Sequence, residues 1–163
     1  MQKNKILFIT NSFGMGGAEK VLIDIVRTLI SFGFDVNVLT FSTSGLLYSE
    51  MQTYCKVRSL FASKFHALLF RRIRLYRKFL INRFVAKNNY QTLVGFIEGN
   101  PTALLSDINK DIYKIAWIHS DIRKLDIDLT TSEMERIYEV IDKIIFVSNN
   151  AKKAFFEKLP KIN

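Results

Sequence analysis

The arrangement that most constrains this chain is a strand, a glycine-bearing loop, a helix and a second strand within its first 41 residues. Residues 5–10 (KILFIT) form a short β-rich run, and residues 35–41 (DVNVLTF) form another. Between them, residues 18–32 carry apolar side chains at three- and four-residue steps, which predicts an amphipathic helix. A unit of this kind implies two parallel strands, because the connecting helix returns the chain to the edge at which the first strand began.

The same alternation continues along the rest of the chain. Further strands are predicted at residues 56–61, 92–98, 112–119 and 143–147, and further helices at residues 66–88, 100–108, 132–141 and 149–160. Asn100 is expected to cap one of these helices, and Ser132 with Glu135 to form a capping box on another. The 163 residues show no linker or repeat. They therefore predict the α/β class: a single three-layer αβα, Rossmann-like domain with a mainly parallel, doubly wound sheet.

Composition excludes several classes of protein. Hydrophobic residues make up 48% of the chain and prolines number only 2, which excludes disordered and collagen-like proteins. Cys55 is the single cysteine and there are two histidines, so we expect no disulfide, metal ion or other cofactor. No apolar run is long enough to cross a membrane or to form a signal-peptide core. We expect a cytoplasmic protein, with peripheral attachment to the inner face of the cell membrane left open.

The loop after the first predicted strand carries Gly14, Gly16 and Gly17. Glycine lets the backbone approach a ligand closely, and the N–H groups at the start of a helix favour phosphate. The loop is not a Walker A motif, since no Gly-Lys-Ser/Thr follows it. It also departs from the dinucleotide fingerprint, because Glu19 stands where that motif requires Gly or Ala. Spacing alone leaves two interpretations open: a phosphate site, and a tight turn that binds nothing.

Two polar side chains end later predicted strands, at the edge of the sheet where such folds bind ligands. His119 could donate to a phosphate, act as an acid or base, or bond a loop carbonyl in a structural role. Glu98 could receive a hydroxyl of a sugar-like ligand or cap the next loop. Trp117, near the end of the same predicted strand as His119, is expected to lie in the core.

Much of the net charge of +9 gathers on the predicted helix at residues 66–88. Arg71, Arg74 and Lys78 fall on one of its faces by their i, i+3, i+7 spacing, and Arg77 lies beside them. Aromatic residues lie between these basic residues, a pattern typical of helices that bind an anionic membrane surface. A solvated face is the alternative. Nucleic acid is disfavoured, because no binding motif accompanies the charge.

Three segments together resemble the N-terminal, acceptor-binding domain of glycosyltransferase family 4, whose members are retaining enzymes of GT-B architecture. NSFGMGGAEKVLIDIVRTLISFGFDVNVLT resembles the family's opening strand, its glycine loop with GGAE, and its first helix. WIHSD resembles its histidine-bearing segment, and DKIIFVSNNAKKAFFEKLP its last N-domain strand and helix. The resemblance implies that Gly16 and Gly17 approach the donor diphosphate. It places His119 in catalysis near the transferred sugar, and Glu98 and Asn100 on the acceptor side.

The resemblance also implies partners. These are a nucleotide-sugar donor, needing no metal, and a saccharide or lipid-linked acceptor in cell-surface polysaccharide or glycolipid synthesis. Nothing in residues 1–163 matches the family's C-terminal donor-binding domain. We therefore expect a single N-terminal glycosyltransferase domain, from a truncated chain or from a half-enzyme that works with a separate donor subunit, and inactive alone. Two alternatives stay open: a non-enzymatic, membrane-associated binding module, and a nucleotide-binding Rossmann protein of another class.

Overall fold

The computed structural model describes residues 4–60, 74–108, 111–125 and 129–162, and strands alternate with helices throughout them. In chain order the elements are β1 (Lys5–Thr10), α1 (Gly17–Ser31), β2 (Asp35–Thr40), α2 (Tyr48–Tyr54), β3 (Lys56–Ser59), α3 (Arg74–Asn88), β4 (Thr92–Gly95), α4 (Asn100–Leu105), β5 (Tyr113–Ile118), α5 (Thr131–Tyr138), β6 (Lys143–Phe146) and α6 (Asn149–Lys158).

The strands form one six-stranded sheet in the order β3-β2-β1-β4-β5-β6, and every neighbouring pair is parallel. The chain winds outward from β1 to β3, crosses back, and winds outward again from β4 to β6. This topology confirms the predicted α/β class and the doubly wound, Rossmann-like sheet. It also makes the boundary between β1 and β4 the point where the winding reverses, and open α/β sheets hold their ligands outside the strand ends at such a point.

Alternating side chains divide the core between the two faces of the sheet. On one face, Phe8 and Phe96 pack with Leu22 and Val26 of α1. On the other face, Leu7, Ile9 and Leu93 pack against α3 and α4, and a further cluster joins β5 and β6 to α5 and α6. Burying one large apolar side chain contributes about 1.5–3 kcal/mol. These contacts therefore fix the strand ends that carry the polar residues.

Several strands end earlier than predicted. The fourth predicted strand ran to residue 98, but β4 ends at Gly95, and the fifth ran to residue 119, but β5 ends at Ile118. Glu98 and His119 therefore lie in the turns beyond the strands. Periodicity did not mark these ends, because the apolar residues Phe96 and Ile97 continue the strand pattern into the turn.

Both predicted helix caps lie elsewhere. The cap of α4 is Gly99, with a φ of 82°, and Asn100 is already the first helical residue. The capping box of α5 joins Thr130 to Glu133, because the helix begins earlier than predicted. The predicted partner Glu135 is instead buried and bonds Lys161 Nζ at 3.1 Å. Both corrections move the start of the helix by one or two residues without changing the order of the elements.

Candidate functional site

The glycine loop runs from the end of β1 to the first turn of α1. Gly16 is the N-cap of α1, with extended backbone angles of −71° and 163°, and no side chain hydrogen bonds to the helix as a cap. The start of the loop is anchored by Phe13, whose ring is fully buried. Its N–H donates to the Ser44 carbonyl at 3.0 Å, and its own carbonyl accepts the Leu47 N–H at 3.2 Å. The segment after β2 therefore holds the glycine loop in place.

Gly45 makes this bracing possible. Its φ of 119° lies in a region that other residues rarely adopt, and a Cβ there would overlap the Phe13 carbonyl and lie 2.7 Å from the Gly14 nitrogen. The sequence did not predict a role for Gly45, because no local pattern indicates its contact with Phe13, 32 positions earlier in the chain. Its only signal was a glycine in a polar segment after a predicted strand.

The carboxylate of Glu19 lies against the glycine loop. A Cβ on Gly16 would collide with Glu19 Oε2, and one on Gly14 would lie 3.6 Å from Glu19 Oε1. Gly17 has nothing within 4 Å of the equivalent position. The N-terminal end of a helix attracts negative charge, and here a side-chain carboxylate lies beside it. An incoming phosphate would therefore compete with Glu19 beside Gly14 and Gly16, whereas no such side chain lies beside the Cβ position of Gly17.

Glu98 joins the turn after β4 to the turn after β5. Its side chain is buried, and its Oε1 accepts the backbone N–H of His119 and that of Ser120, each at 2.6 Å. Of the two roles that the sequence left open, this contact is the cap on a neighbouring loop. Asn100 lies exposed in the first turn of α4. The acceptor-binding role of both residues stays a prediction.

The His119 imidazole packs among aromatic rings at the same edge of the sheet. Its centroid lies 4.6 Å from that of Phe96, edge to face, and 6.1 Å from that of Trp117, nearly parallel. Burial lowers the pKa of His119 below its usual value, and this effect outweighs Glu98, a hydrogen bond to the Phe96 backbone and Glu19, which all act to raise it. The ring is therefore neutral near pH 7.

The burial of one ring nitrogen favours one tautomer of the imidazole. Among the residues that the structure describes, Nε2 of His119 is buried and has no hydrogen-bond partner. A buried N–H without an acceptor is rare in folded proteins, so we expect Nδ1 to carry the proton and Nε2 to keep its lone pair. The indole nitrogen of Trp117 is likewise buried and has no partner in the described ranges. Trp117 packs against the core as expected, yet its side chain stays half-buried.

The predicted basic face is only partly described. Arg71 lies outside the described residues, and so does the side chain of Arg74. Arg77 turns inward, with its Nε 2.5 Å from Oδ2 of Asp107, a carboxylate that is only 1% exposed. Lys78 is half-buried. Arg77 therefore forms an ion pair within the fold, which the sequence could not reveal because Asp107 lies 30 positions away.

A different set of α3 side chains is exposed. Leu75 is 80% exposed and Phe79 62% exposed, and the exposed residues Arg83 and Lys87 continue the same four-residue spacing. We call these four residues the outer stripe of α3. The alternation of aromatic and basic residues in the sequence indicated an exposed surface of this kind. Which of these residues are exposed depends on how α3 packs against the sheet, and the sequence did not show that.

Two further features of the described residues bear on metal binding and on membrane insertion. In the described ranges, no group of three or more His, Cys, Asp or Glu side chains is arranged to hold a metal ion. Every helix in the described part of the chain is too short or too polar to cross a bilayer. A shallow, mostly apolar groove of about 290 Å³ runs along α1, but none of the predicted site residues lines it.

Comparisons with known proteins identify the fold. No family model matches the chain, and no curated protein sequence matches it. A glycosyltransferase from Rickettsia africae ESF-5 superposes with a TM-score of 0.66 at 15% identity, over 100% of this chain and 41% of that one. The NAD(P)-binding domain of an exopolyphosphatase-related protein from Archaeoglobus fulgidus gives 0.47 at 16% identity, over 98% and 99% of the two chains. This chain has a glycosyltransferase-like fold and spans about 41% of the length of the Rickettsia protein.

Proposed function

We propose that this domain is the N-terminal, acceptor-side half of a GT-B glycosyltransferase of family 4, which transfers a sugar from a nucleotide-sugar donor with retention of configuration. The observation that carries the proposal is that the GGAE loop follows β1 and the WIHSD segment ends β5, on either side of β4 and at the same end of a glycosyltransferase-like sheet. Glu98, in the turn after β4, hydrogen bonds to the His119 backbone and so joins β4 to β5 at this end. The acceptor would be a saccharide or a lipid-linked saccharide used in cell-surface polysaccharide or glycolipid synthesis.

In this proposal the glycine loop serves the departing diphosphate. Transfer passes through a positively charged, oxocarbenium-like sugar, so the enzyme must position the reactants and stabilise the leaving phosphates. Gly17 leaves its backbone open at the N-terminal end of α1, and Gly16 is covered only by the flexible Glu19 side chain. Glu19 must swing away for a diphosphate to approach, because two negative charges would otherwise share the same end of the helix.

His119 would act on the sugar side of the same site. In its neutral form, with the proton on Nδ1, it can accept a hydrogen bond from a sugar hydroxyl at Nε2. Since Nε2 is buried, ligand entry must also uncover the ring. A second domain or subunit would supply most of the contacts to the nucleotide.

A reconstitution experiment tests the proposal. A donor-binding domain is supplied to the wild-type chain and to His119→Ala, and the transfer of radiolabelled sugar to a lipid-linked acceptor is measured. We expect transfer with the wild type and a large loss with His119→Ala, whereas His66→Ala, which removes the only other histidine, should retain activity. Undiminished transfer by His119→Ala would refute the catalytic role.

The outer stripe of α3 favours a second function, attachment to an anionic bilayer. Two large apolar side chains at 80% and 62% exposure lie beside two exposed basic residues. No acidic residue occurs between residues 51 and 97 to neutralise them. Apolar side chains can enter the headgroup region while each nearby basic residue contributes about 1 kcal/mol at an anionic surface.

Vesicle sedimentation tests this attachment. The wild type should bind vesicles that contain phosphatidylglycerol and should not bind vesicles of phosphatidylcholine. Phe79→Ser with Leu75→Ser should lose most of the binding. Leu46→Ser is the matched control, since Leu46 is 76% exposed but lies outside the helix. Equal loss in the control variant, or binding that persists in the double variant, would exclude the outer stripe as the contact surface.

A further inference from the structure

Glu98 is buried and bonded to the backbone, whereas a residue that binds a ligand directly would be open to the solvent. Its side chain is only 6% exposed, and both hydrogen bonds to its Oε1 come from backbone N–H groups. A buried carboxylate is costly unless its charge is satisfied, and hydrogen bonds from N–H groups to an ionised oxygen are among the strong ones. The charge of Glu98 is therefore directed at the main chain of the turn after β5.

The turn that carries Glu98 is itself firmly held. The Phe96 N–H donates to the Ile9 carbonyl at 2.9 Å, and Thr102 Oγ1 donates to the Ile97 carbonyl at 2.8 Å. A Cβ on Gly95 would lie 2.8 Å from the Thr102 Cα, so α4 approaches β4 closely there. The backbone that carries Glu98 is therefore held in place by β1 and α4.

The same turn contacts His119 in two ways. Glu98 accepts hydrogen bonds from the backbone of His119 and Ser120, while the Phe96 ring packs edge to face against the imidazole. The backbone bonds determine where the Cα–Cβ bond of His119 points, and the ring contact then determines which ring nitrogen is buried. Losing the backbone bonds would release the orientation that the ring contact requires.

We propose that Glu98 is a positioning residue: by holding the His119 and Ser120 amides it fixes the orientation in which the His119 ring packs against Phe96 and keeps Nε2 for a ligand hydroxyl. The functional part of this inference rests on the proposed role of His119 in sugar transfer. The structural part requires no ligand, so the two can fail separately.

The charges around His119 define how two substitutions should differ. Glu98 and Glu19 are the charged groups that face it, and both raise its pKa against the effect of burial. Tyr138, which faces Glu98, stays uncharged, because burial and then Glu98 hold its pKa well above its usual value. Glu98→Gln keeps an oxygen that can accept both N–H groups but removes the charge. Glu98→Ala removes both.

NMR can follow the His119 ring directly. The chain has two histidines, so a His66→Gln background leaves a single imidazole whose nitrogen shifts report the tautomer and the pKa. We expect the Nδ1–H tautomer in the parent protein. In Glu98→Gln the tautomer should persist while the pKa of His119 falls further. In Glu98→Ala the tautomer should become mixed, and the amide proton signals of His119 and Ser120 should move upfield.

A matched control separates positioning from general disturbance of the fold. Glu135 is also only 6% exposed, but it bonds a lysine and does not contact His119. Glu135→Gln should leave the His119 tautomer and pKa unchanged. An unchanged tautomer in Glu98→Ala, or equal changes in the Glu135 variant, would overturn the proposal. Should Glu98→Ala fail to fold, Glu98→Asp takes its place, because its shorter side chain keeps the charge but withdraws the oxygen from the two amides; an unchanged tautomer there would likewise overturn it.

The proposed function has a separate readout. With a donor-binding domain supplied, the parent protein should transfer sugar to the lipid-linked acceptor, and Glu98→Ala should transfer it more slowly because His119 loses its orientation. A parent protein that transfers no sugar under these conditions would contradict the proposed function and leave the tautomer result standing.

Discussion

Replacing Gly45 by alanine would test whether the segment after β2 holds the glycine loop in place. The new methyl group would overlap the Phe13 carbonyl and lie 2.7 Å from the Gly14 nitrogen. These are backbone atoms, which cannot rotate away as the end of a side chain can. The Phe13 ring is anchored in the core, so relief must come from moving residues 44–47 outward.

The cost follows from two contributions. A non-glycine residue at a φ of 119° costs about 1–3 kcal/mol in backbone strain. Moving the segment breaks the two hydrogen bonds between Phe13 and residues Ser44 and Leu47, each worth about 1 kcal/mol. The sum is about 3–5 kcal/mol, which lowers the melting temperature of a chain of this size by roughly 10 °C.

Urea denaturation followed by circular dichroism measures this loss. Gly33→Ala is the control, because Gly33 also has a positive φ, 87°, but a Cβ there has no atom within 4 Å. It should lose only about 1 kcal/mol. Equal destabilisation of the two variants would mean that strain alone acts at residue 45, and the bracing of the glycine loop would be refuted.

Three further predictions concern the Arg77 ion pair, the titration of His119 and the cap of α5. Arg77→Met should lower the free energy of unfolding by about 2 kcal/mol, because it removes a charged hydrogen-bond donor from a buried carboxylate, whereas Lys78→Met should change it by less than about 0.5 kcal/mol. The wild type should lose stability as the pH falls below about 6.5, because His119 has a lower pKa in the folded chain than in the unfolded chain and the unfolded chain therefore binds the proton first. Urea titrations at several pH values should show a smaller loss of stability in His119→Gln. Thr130→Ala should cost about 1 kcal/mol in a melting experiment, and Ser132→Ala less, since only Thr130 caps α5.

The fold class could be predicted from the sequence because the apolar residues follow a strand pattern in the strands and a helical pattern in the helices. Alternating strand and helix patterns require parallel strands, and that requirement limits the sheet to a few topologies. Helix boundaries were harder to predict, since Thr130 with Glu133 and Ser132 with Glu135 both match the capping-box pattern. The structure selects the first pair, because Glu135 is buried and bonded to Lys161.

The residues of the candidate site were predictable, but their contacts were not. Strand ends in a parallel sheet share one edge, so the glycine loop, Glu98 and His119 could be grouped in advance. The bond from Glu98 to the His119 backbone spans 21 positions and depends on the shape of two turns. The overlap of Gly45 with the Phe13 carbonyl is of the same kind. Such contacts follow from the folded geometry rather than from any local sequence pattern.

The central claim is that the glycine loop binds the diphosphate of a nucleotide. Isothermal titration calorimetry of UDP, GDP and NAD against the wild type and Gly16→Val, each supplied with a donor-binding domain, tests it most directly. Gly16→Val should leave the fold intact, because the atoms it meets belong to the flexible end of Glu19. We predict that UDP or GDP binds the wild type, that Gly16→Val weakens this binding at least tenfold (about 1.4 kcal/mol), and that NAD does not bind. Equal affinity in both proteins, or tight binding of NAD, would contradict the account.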